Sequence, residues 1–122
     1  MIVDGDDELI GRQVLKLFNA VYQETGAWIV YSNFFTEEGK LGYSKPIPER
    51  VTEANDYRKY PFVTSHLRTL YTQLLREIKE EDLKGKDGNY LKVANDVSFM
   101  LPCLEMAHRR VIYIPELTYM YN

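Results

Sequence analysis

Apolar residues recur along the chain with two spacings, one typical of helices and one typical of buried strands. An i, i+3/i+4, i+7 spacing predicts a first amphipathic helix that Gly26 ends, with apolar positions at Leu9, Ile10, Val14, Leu17, Phe18 and Val21. The same spacing predicts helices over residues 67–78 and 95–107. Short β-rich runs at 28–31, extending through Phe35, and at 111–114 predict buried strands. Strands that alternate with helices indicate an α/β sheet with helical crossovers.

Prolines and glycines divide these elements. Residues 36–61 carry Gly39, Gly42 and three prolines without a sustained period, which predicts a long surface loop of the kind that is usually functional or mobile. Pro102 lies inside the last predicted helix and should kink it. Pro115 should end the strand that starts at residue 111.

Composition and charge argue against several classes of protein and of partner. The 122 residues make one domain, 1–122, and a net charge of −3 with an isoelectric point near 5.4 argues against a nucleic-acid partner. The single cysteine, Cys103, lies in an apolar helical pattern, so it is interpreted as buried filler and a reduced, cytoplasmic setting is expected. No apolar run approaches the roughly 18 residues of a membrane span, so membrane association would have to come through other proteins or further segments.

An acidic cluster directly after Ile2-Val3 is the first candidate for chemistry. Asp4 and Asp6, two residues apart in a turn with Gly5 between them, can converge on a divalent cation such as Mg²⁺ or Mn²⁺. The alternative is an acidic helix N-terminus in which Asp6 or Asp7 is the cap. An EF-hand is excluded, because its required glycine and glutamate are replaced by Leu9 and Leu15.

Two further polar groups stand at predicted helix starts. Asn95 is a favourable N-cap type, and Asp96 behind it is either a partner of the helix dipole or a rigidly held general base. His66 and Arg68 precede the middle helix and are either capping or surface residues or part of a site. A Ser-His-Asp triad is poorly supported, because Ser65 and His66 are neighbours and no nucleophile-elbow pattern surrounds them. Of the ten tyrosines, Tyr57, Tyr60 and Tyr90 are loop candidates for stacking on sugars, and the rest are assigned to core edges.

Three segments taken in order resemble the family-2 glycosyltransferases of the GT-A fold. They are VDGDD before the first helix, TSHLRTL in the middle, and NDVSFMLPCLEMAHRRVIYIPELTYMYN at the end. The resemblance runs from Val3 to Asn122. It implies a partial GT-A sheet flanked by helices, that is, a fold of the nucleotide-diphospho-sugar transferase type.

The resemblance also implies a reaction and roles for particular residues. Asp4 and Asp6 match the Asp-x-Asp motif that binds Mg²⁺ or Mn²⁺ on the diphosphate of a nucleotide-sugar donor, and Asp7 supports them. Asp96 matches the base that deprotonates the acceptor hydroxyl, with Asn95 where the family has Glu. His66 and Arg68 fall in the region that borders the acceptor or the diphosphate. The implied enzyme is an inverting, metal-dependent transferase that acts on a carbohydrate or lipid-linked acceptor.

The acidic motif lies at the start of the chain, whereas the family's nucleotide-binding half precedes it. The chain is therefore expected to be a fragment that lacks the N-terminal nucleotide-binding half and is weakly active or inactive alone. Such a fragment exposes a sheet edge, which a homodimer would cover. The alternative function is a non-catalytic, transferase-like module that self-associates or binds a partner through that edge. The Asp6 and Asp96 positions are 90 residues apart (96 − 6), so the enzyme hypothesis requires the fold to bring the two regions together.

Overall fold

A curled, mixed four-stranded sheet organises the chain in the order β1-β4-β2-β3. The computed structural model describes residues 1–91 and 95–122, without the side chain of Asn95. The strands are β1 (Glu8–Leu9), β2 (Ile29–Thr36), β3 (Arg68–Leu70) and β4 (Val111–Tyr121). The α-helices are α1 (Val14–Thr25), α2 (Glu49–Ala54), α3 (Thr72–Arg76) and α4 (Asn95–Ala107), and two 3-10 turns span Tyr57–Lys59 and Glu80–Leu83.

The central pair of the sheet is parallel, and both outer pairs are antiparallel. β2 runs parallel to β4, β3 is antiparallel to β2, and β1 is antiparallel to the end of β4. On the outer side of β3, Ile2 forms an isolated antiparallel bridge with Arg68. The acidic residues that follow Ile2 therefore start beside β3, and β1 then returns along β4.

Apolar side chains pack on both faces of the sheet, because alternate residues of a strand point to opposite faces. Val30, Phe34 and Ile114 pack with Val14 and Phe18 of α1. Ile29 and Leu70 pack on the other face with residues of α4, namely Met100, Cys103, Leu104 and Ala107. The mixed α/β class predicted from the sequence is confirmed. None of the helices among the described residues is both long and apolar enough to cross a membrane.

The first helix begins later than its apolar pattern predicts. Leu9 belongs to β1, and the Ile10 N–H donates to the Thr118 carbonyl at 2.9 Å, so both residues extend the sheet. α1 starts at Val14 after Gln13, which also excludes Asp6 and Asp7 as its N-cap. Gly26 ends α1 in a left-handed conformation with φ of 67°, as predicted.

The middle helix predicted over residues 67–78 is confirmed only in part. Arg68–Leu70 form β3, and only Thr72–Arg76 are helical in the five-residue α3. All three residues of β3 are buried, and β3 pairs with β2 through Tyr31↔Arg68, Val30↔Thr69 and Ile29↔Leu70. Sheet pairing overrides the helical spacing of the leucines here.

The two predictions that involve prolines have different outcomes. Pro102 lies inside α4, as predicted, and the kink there stays a prediction. β4 continues past Pro115 to Tyr121, because the register against β2 shifts between Tyr113 and Leu117 and leaves the proline in an irregular stretch where a ladder N–H is not required. The 36–61 segment contains α2 and one 3-10 turn, so it is partly helical.

Candidate metal centre

A tight turn over residues 4–7, here called the acidic turn, presents the first two ligands of a candidate metal centre. The Asp7 N–H donates to the Asp4 carbonyl at 3.2 Å, and the Ile2 N–H anchors the turn on the Arg68 carbonyl at 3.2 Å. A turn closed between its first and fourth residues brings the chain at these two positions close together. The carboxylates of Asp4 and Asp7 consequently lie together.

His66 completes the group from the strand side. It lies two residues before β3 and is only 6% exposed, whereas Asp4 is exposed and Asp7 half-buried. One ligand atom each from Asp4, Asp7 and His66 lie within 4.8 Å of one another. In residues 1–91 and 95–122 this is the one group of three such side chains that could hold a metal ion, and it is called the Asp-Asp-His cluster below.

Tyr119 and Asn122 hold the acidic turn from β4 and the end of the chain. The buried Tyr119 hydroxyl donates to Asp7 Oδ2 at 2.6 Å and accepts the Asp4 N–H at 3.1 Å. The Asn122 N–H donates to Asp7 Oδ1 at 2.8 Å. Burial, and then the hydrogen bond to Asp7, raise the pKa of Tyr119 above its ordinary value, so the hydroxyl stays a donor. Such outer contacts orient the ligands of metal sites.

His66 sits in an aromatic cage that fixes its ring. It stacks on Tyr119 with ring centroids 4.9 Å apart and an interplanar angle of 13°, and Phe34 meets it edge-on at 5.5 Å. Burial and then the Arg68 charge lower the pKa of His66, so the imidazole is neutral at neutral pH. Its Nε2 lies 3.4 Å from Asp4 Oδ2, and its Nδ1 lies 3.1 Å from Ser65 Oγ. Ser65 is 1% exposed, so this serine is not accessible as a nucleophile.

Arg68 joins the cluster to Asp96. Its side chain is 1% exposed, its Nη2 lies 3.1 Å from His66 Nε2, and the same nitrogen donates to Asp96 Oδ2 at 2.7 Å. The guanidinium also lies over the Phe99 ring, 5.7 Å from its centroid. Asp96, in the first turn of α4, has a side chain that is 47% exposed. A buried cation therefore orients a solvent-accessible carboxylate.

Five of the six candidate site residues lie in one connected network. Asp4, Asp7 and His66 form the cluster, and Arg68 and Asp96 continue it. Asp6 is outside the cluster: it is exposed, and its backbone carbonyl accepts the side-chain amide of Asn122. Asp7, predicted only as a support of the motif, lies in the cluster beside Asp4, where Asp6 was expected. The N-cap role predicted for Asn95 involves a side chain outside the described part of the chain.

Tyr119 and Asn122 are site residues that the sequence does not single out. They lie in the tyrosine-rich segment TYMYN, whose tyrosines are predicted to lie at core edges. Tyr57, a predicted sugar-stacking residue, is instead buried, and its hydroxyl donates to the His108 carbonyl. A contact between residues more than 110 positions apart, such as that of Tyr119 with Asp7, has no local signature in the sequence.

An apolar cavity of about 580 Å³ opens on the side of α4 that carries Ser98 and Phe99. Its lining comes from α3, α4 and the turns between them, with Ile2 at one side: Ile2, Leu75, Ile78, Leu83, Tyr90, Leu91, Ser98 and Phe99. The Phe99 ring faces Arg68 as well as this cavity. The cavity and the cluster are thus connected through Phe99 and Arg68.

Comparison of the chain with protein-family models and with curated proteins finds no match in either. The resemblance to family-2 glycosyltransferases therefore stays a prediction.

Proposed function

We propose that this chain carries the metal-binding and acceptor-activating part of an inverting, metal-dependent glycosyltransferase. In this proposal the donor is a nucleotide-diphosphate sugar and the acceptor is a hydroxyl of a carbohydrate or of a lipid-linked sugar. The observation that carries the proposal is the connection of the Asp-Asp-His cluster to Asp96 through Arg68. A cation site and a general base close together are what transfer from a diphosphate to a hydroxyl requires.

The donor set fits a divalent cation that accepts both oxygen and nitrogen ligands. Two carboxylates suit Mg²⁺ or Mn²⁺, and the imidazole of His66 favours Mn²⁺ of the two. Three protein ligands leave coordination positions for diphosphate oxygens. When bound there, a divalent cation supplies positive charge that offsets the charge on the leaving diphosphate.

Asp96 is the proposed general base. Arg68 holds it through Oδ2, which fixes its orientation, and nearly half of its side chain is open to an incoming hydroxyl. A base must reach the proton that it removes, and a well-placed one contributes about 10²–10⁴-fold to the rate. Attack on the side of the sugar opposite the diphosphate then inverts the anomeric carbon.

The apolar cavity supports an acceptor with an apolar part. Ser98 and Phe99 line it and follow Asp96 by two and three residues on α4. Its volume of about 580 Å³ is in the range of small-molecule sites, roughly 300–1,000 Å³. We assign this space to the acceptor side of the site.

Isothermal titration with MnCl₂, and then with UDP or GDP in the presence and absence of MnCl₂, tests the proposal. We expect Mn²⁺ to bind and at least one nucleoside diphosphate to bind only when Mn²⁺ is present. Asp7→Asn should weaken Mn²⁺ binding by at least about tenfold, because it replaces a charged carboxylate ligand of the metal with a neutral amide. Asp6→Asn is the matched control, since it removes a neighbouring carboxylate that lies outside the cluster.

A wild-type chain that binds neither Mn²⁺ nor a nucleoside diphosphate would overturn the proposal and leave the non-catalytic interaction module. A loss of Mn²⁺ binding in Asp6→Asn but not in Asp7→Asn would return the metal site to the Asp4 and Asp6 pair.

A further inference from the structure

Arg68 is a buried cation placed between a candidate metal centre and a carboxylate. Only Asp96 and His66 accept hydrogen bonds from its guanidinium among the described residues, and its Nε and Nη1 are buried without a partner. A buried guanidinium is costly unless an opposite charge compensates it. The charge of Arg68 is therefore balanced by Asp96 and directed at His66.

His66 Nε2 is a possible partner of two cations, the guanidinium of Arg68 and a metal ion bound in the cluster. Arginine has no acceptor, so Arg68 must donate to Nε2, and the neutral ring then carries its proton on Nδ1 beside Ser65 Oγ. The lone pair of Nε2 is used by this hydrogen bond. A metal ion in the Asp-Asp-His cluster needs the same lone pair, because Nε2 is the nitrogen that lies 3.4 Å from Asp4 Oδ2. The Arg68–His66 hydrogen bond and a metal–His66 bond therefore exclude each other.

Asp96 offers Arg68 the alternative partner. Its Oδ2 is 2.7 Å from Arg68 Nη2, closer than His66 Nε2 at 3.1 Å, and an ionised acceptor makes the stronger hydrogen bond. When the cluster binds a divalent cation, Arg68 can break its hydrogen bond to His66 and keep the one to Asp96. The negative charge of Asp96 then still compensates Arg68. Without Asp96, the full positive charge of Arg68 would face the cluster.

We propose that Arg68 is a positioning residue that couples cation binding to Asp96. It holds His66 when the cluster has no cation and bonds to Asp96 alone when a divalent cation binds. Arg68 thus lowers the affinity of the cluster for divalent cations, and Asp96 raises it. The inference rests on the cluster and the base of the proposed function. It concerns whether Arg68 and Asp96 raise or lower the affinity of the cluster for cations, and not the reaction.

The test is a double-mutant cycle read by isothermal titration with MnCl₂ alone. Arg68→Met removes the competing charge at similar volume and should tighten Mn²⁺ binding by about tenfold. Asp96→Asn leaves Arg68 uncompensated and should weaken it by about tenfold. In the Arg68→Met background, most of the effect of Asp96→Asn should disappear, because the charge through which it acts is gone.

Opposite signs for the two single variants are the signature of the proposal, because a structural role for the pair would weaken binding in both. Circular dichroism and the thermal midpoint of each variant verify the fold. If Asp96→Asn does not fold, Arg68→Met and the double variant still carry the test, since neither leaves a buried charge unpaired.

Mn²⁺ affinity of folded Arg68→Met that equals or falls below wild type would overturn the inference. Tighter Mn²⁺ binding in Arg68→Met with no nucleoside diphosphate binding to any variant would support the inference and reject the glycosyltransferase proposal. Absence of Mn²⁺ binding in the wild type and in every variant would overturn both.

Discussion

At the scale of single residues, backbone geometry in the acidic turn decides which carboxylates meet. The turn is closed by the Asp7 N–H on the Asp4 carbonyl, which brings its first and fourth residues together, so Asp7 and not Asp6 lies beside Asp4. Tyr119 and Asn122 then fix the Asp7 carboxylate from the other end of the chain. The sequence predicts an acidic site here, but the pairing of Asp4 with Asp7 depends on this distant support.

Removal of the Tyr119 hydroxyl tests this support. Tyr119→Phe leaves the Asp4 N–H and Asp7 Oδ2 without their shared partner, so we expect Mn²⁺ binding to weaken about 10–100-fold. The free energy of unfolding should fall by about 1 kcal/mol. Isothermal titration and urea denaturation measure the two effects.

Tyr31→Phe is the matched control for Tyr119→Phe. Tyr31 is equally buried on the neighbouring strand, but its hydroxyl donates to the Lys45 carbonyl, away from the cluster. It should lose similar stability and keep its Mn²⁺ affinity. Equal loss of affinity in both variants would show that general loosening of the sheet, and not the Tyr119 contacts, is responsible.

His66 should make stability depend on pH in a metal-free, chelator-treated sample. Burial and Arg68 lower its pKa below the ordinary value of 6.5, so the unfolded chain takes up a proton at a pH where the folded protein does not. Its contribution is therefore complete above pH 6.5 and is lost as the pH falls below that value. We expect urea denaturation at pH 7.5 and 5.5 to give a smaller pH difference for His66→Gln than for wild type.

His108 provides the control for this pH dependence. It follows α4 with φ of 54°, a conformation that asparagine tolerates, so His108→Asn should fold normally. If His108→Asn loses the dependence and His66→Gln keeps it, His66 is not the group that titrates.

At the scale of elements, local patterns predict some of the fold and long-range pairing determines the rest. β2 is predicted because its run of β-branched and aromatic residues matches a buried strand. α4 is predicted because its apolar residues recur with helical spacing. β3 is missed because its three residues, Arg68–Leu70, form a strand only through pairing with β2. This miss matters for the site, since Arg68 belongs to that strand and His66 precedes it.

The segment after β2 also supports the cluster, through Gly42. Its N–H donates to the Phe34 carbonyl at 2.7 Å, and a Cβ at this position would overlap the Phe34 ring. That ring packs edge-on against His66. Gly42→Ala should therefore lower the free energy of unfolding by about 1–3 kcal/mol, measured by urea denaturation, and weaken Mn²⁺ binding by displacing His66.

Gly5→Ala is the comparison for Gly42→Ala. A Cβ on Gly5 meets nothing within 4 Å, so the free energy of unfolding should change little even though the residue lies in the acidic turn. If Gly42→Ala changed neither the free energy of unfolding nor Mn²⁺ binding, Phe34 would move without cost and would not hold His66 in place.

At the scale of the whole molecule, the candidate centre takes residues from both ends of the chain and from its middle. The acidic turn, His66 and the end of β4 meet only when the sheet is formed, so a bound cation should stabilise the folded state as a whole. Cys103 reports on that state. It is fully buried against α4 neighbours and Ile29, and burial raises the pKa of its thiol to about 11.

Cys103 should therefore react with a chromogenic disulfide reagent only when the core opens. Mn²⁺ at 100 times its Kd stabilises the folded protein by about 2.7 kcal/mol, so the reaction should slow about 100-fold if opening of the core also breaks the cluster. Asp7→Asn, with a Kd at least about tenfold higher, should be slowed by about tenfold or less at the same Mn²⁺ concentration, and Asp6→Asn should behave like wild type. A reaction rate that Mn²⁺ leaves unchanged, in a protein shown by titration to bind it, would mean that α4 opens locally while the sheet and its cluster stay intact. The core around Cys103 and the site around His66 would then be separate cooperative units, although β2 passes through both.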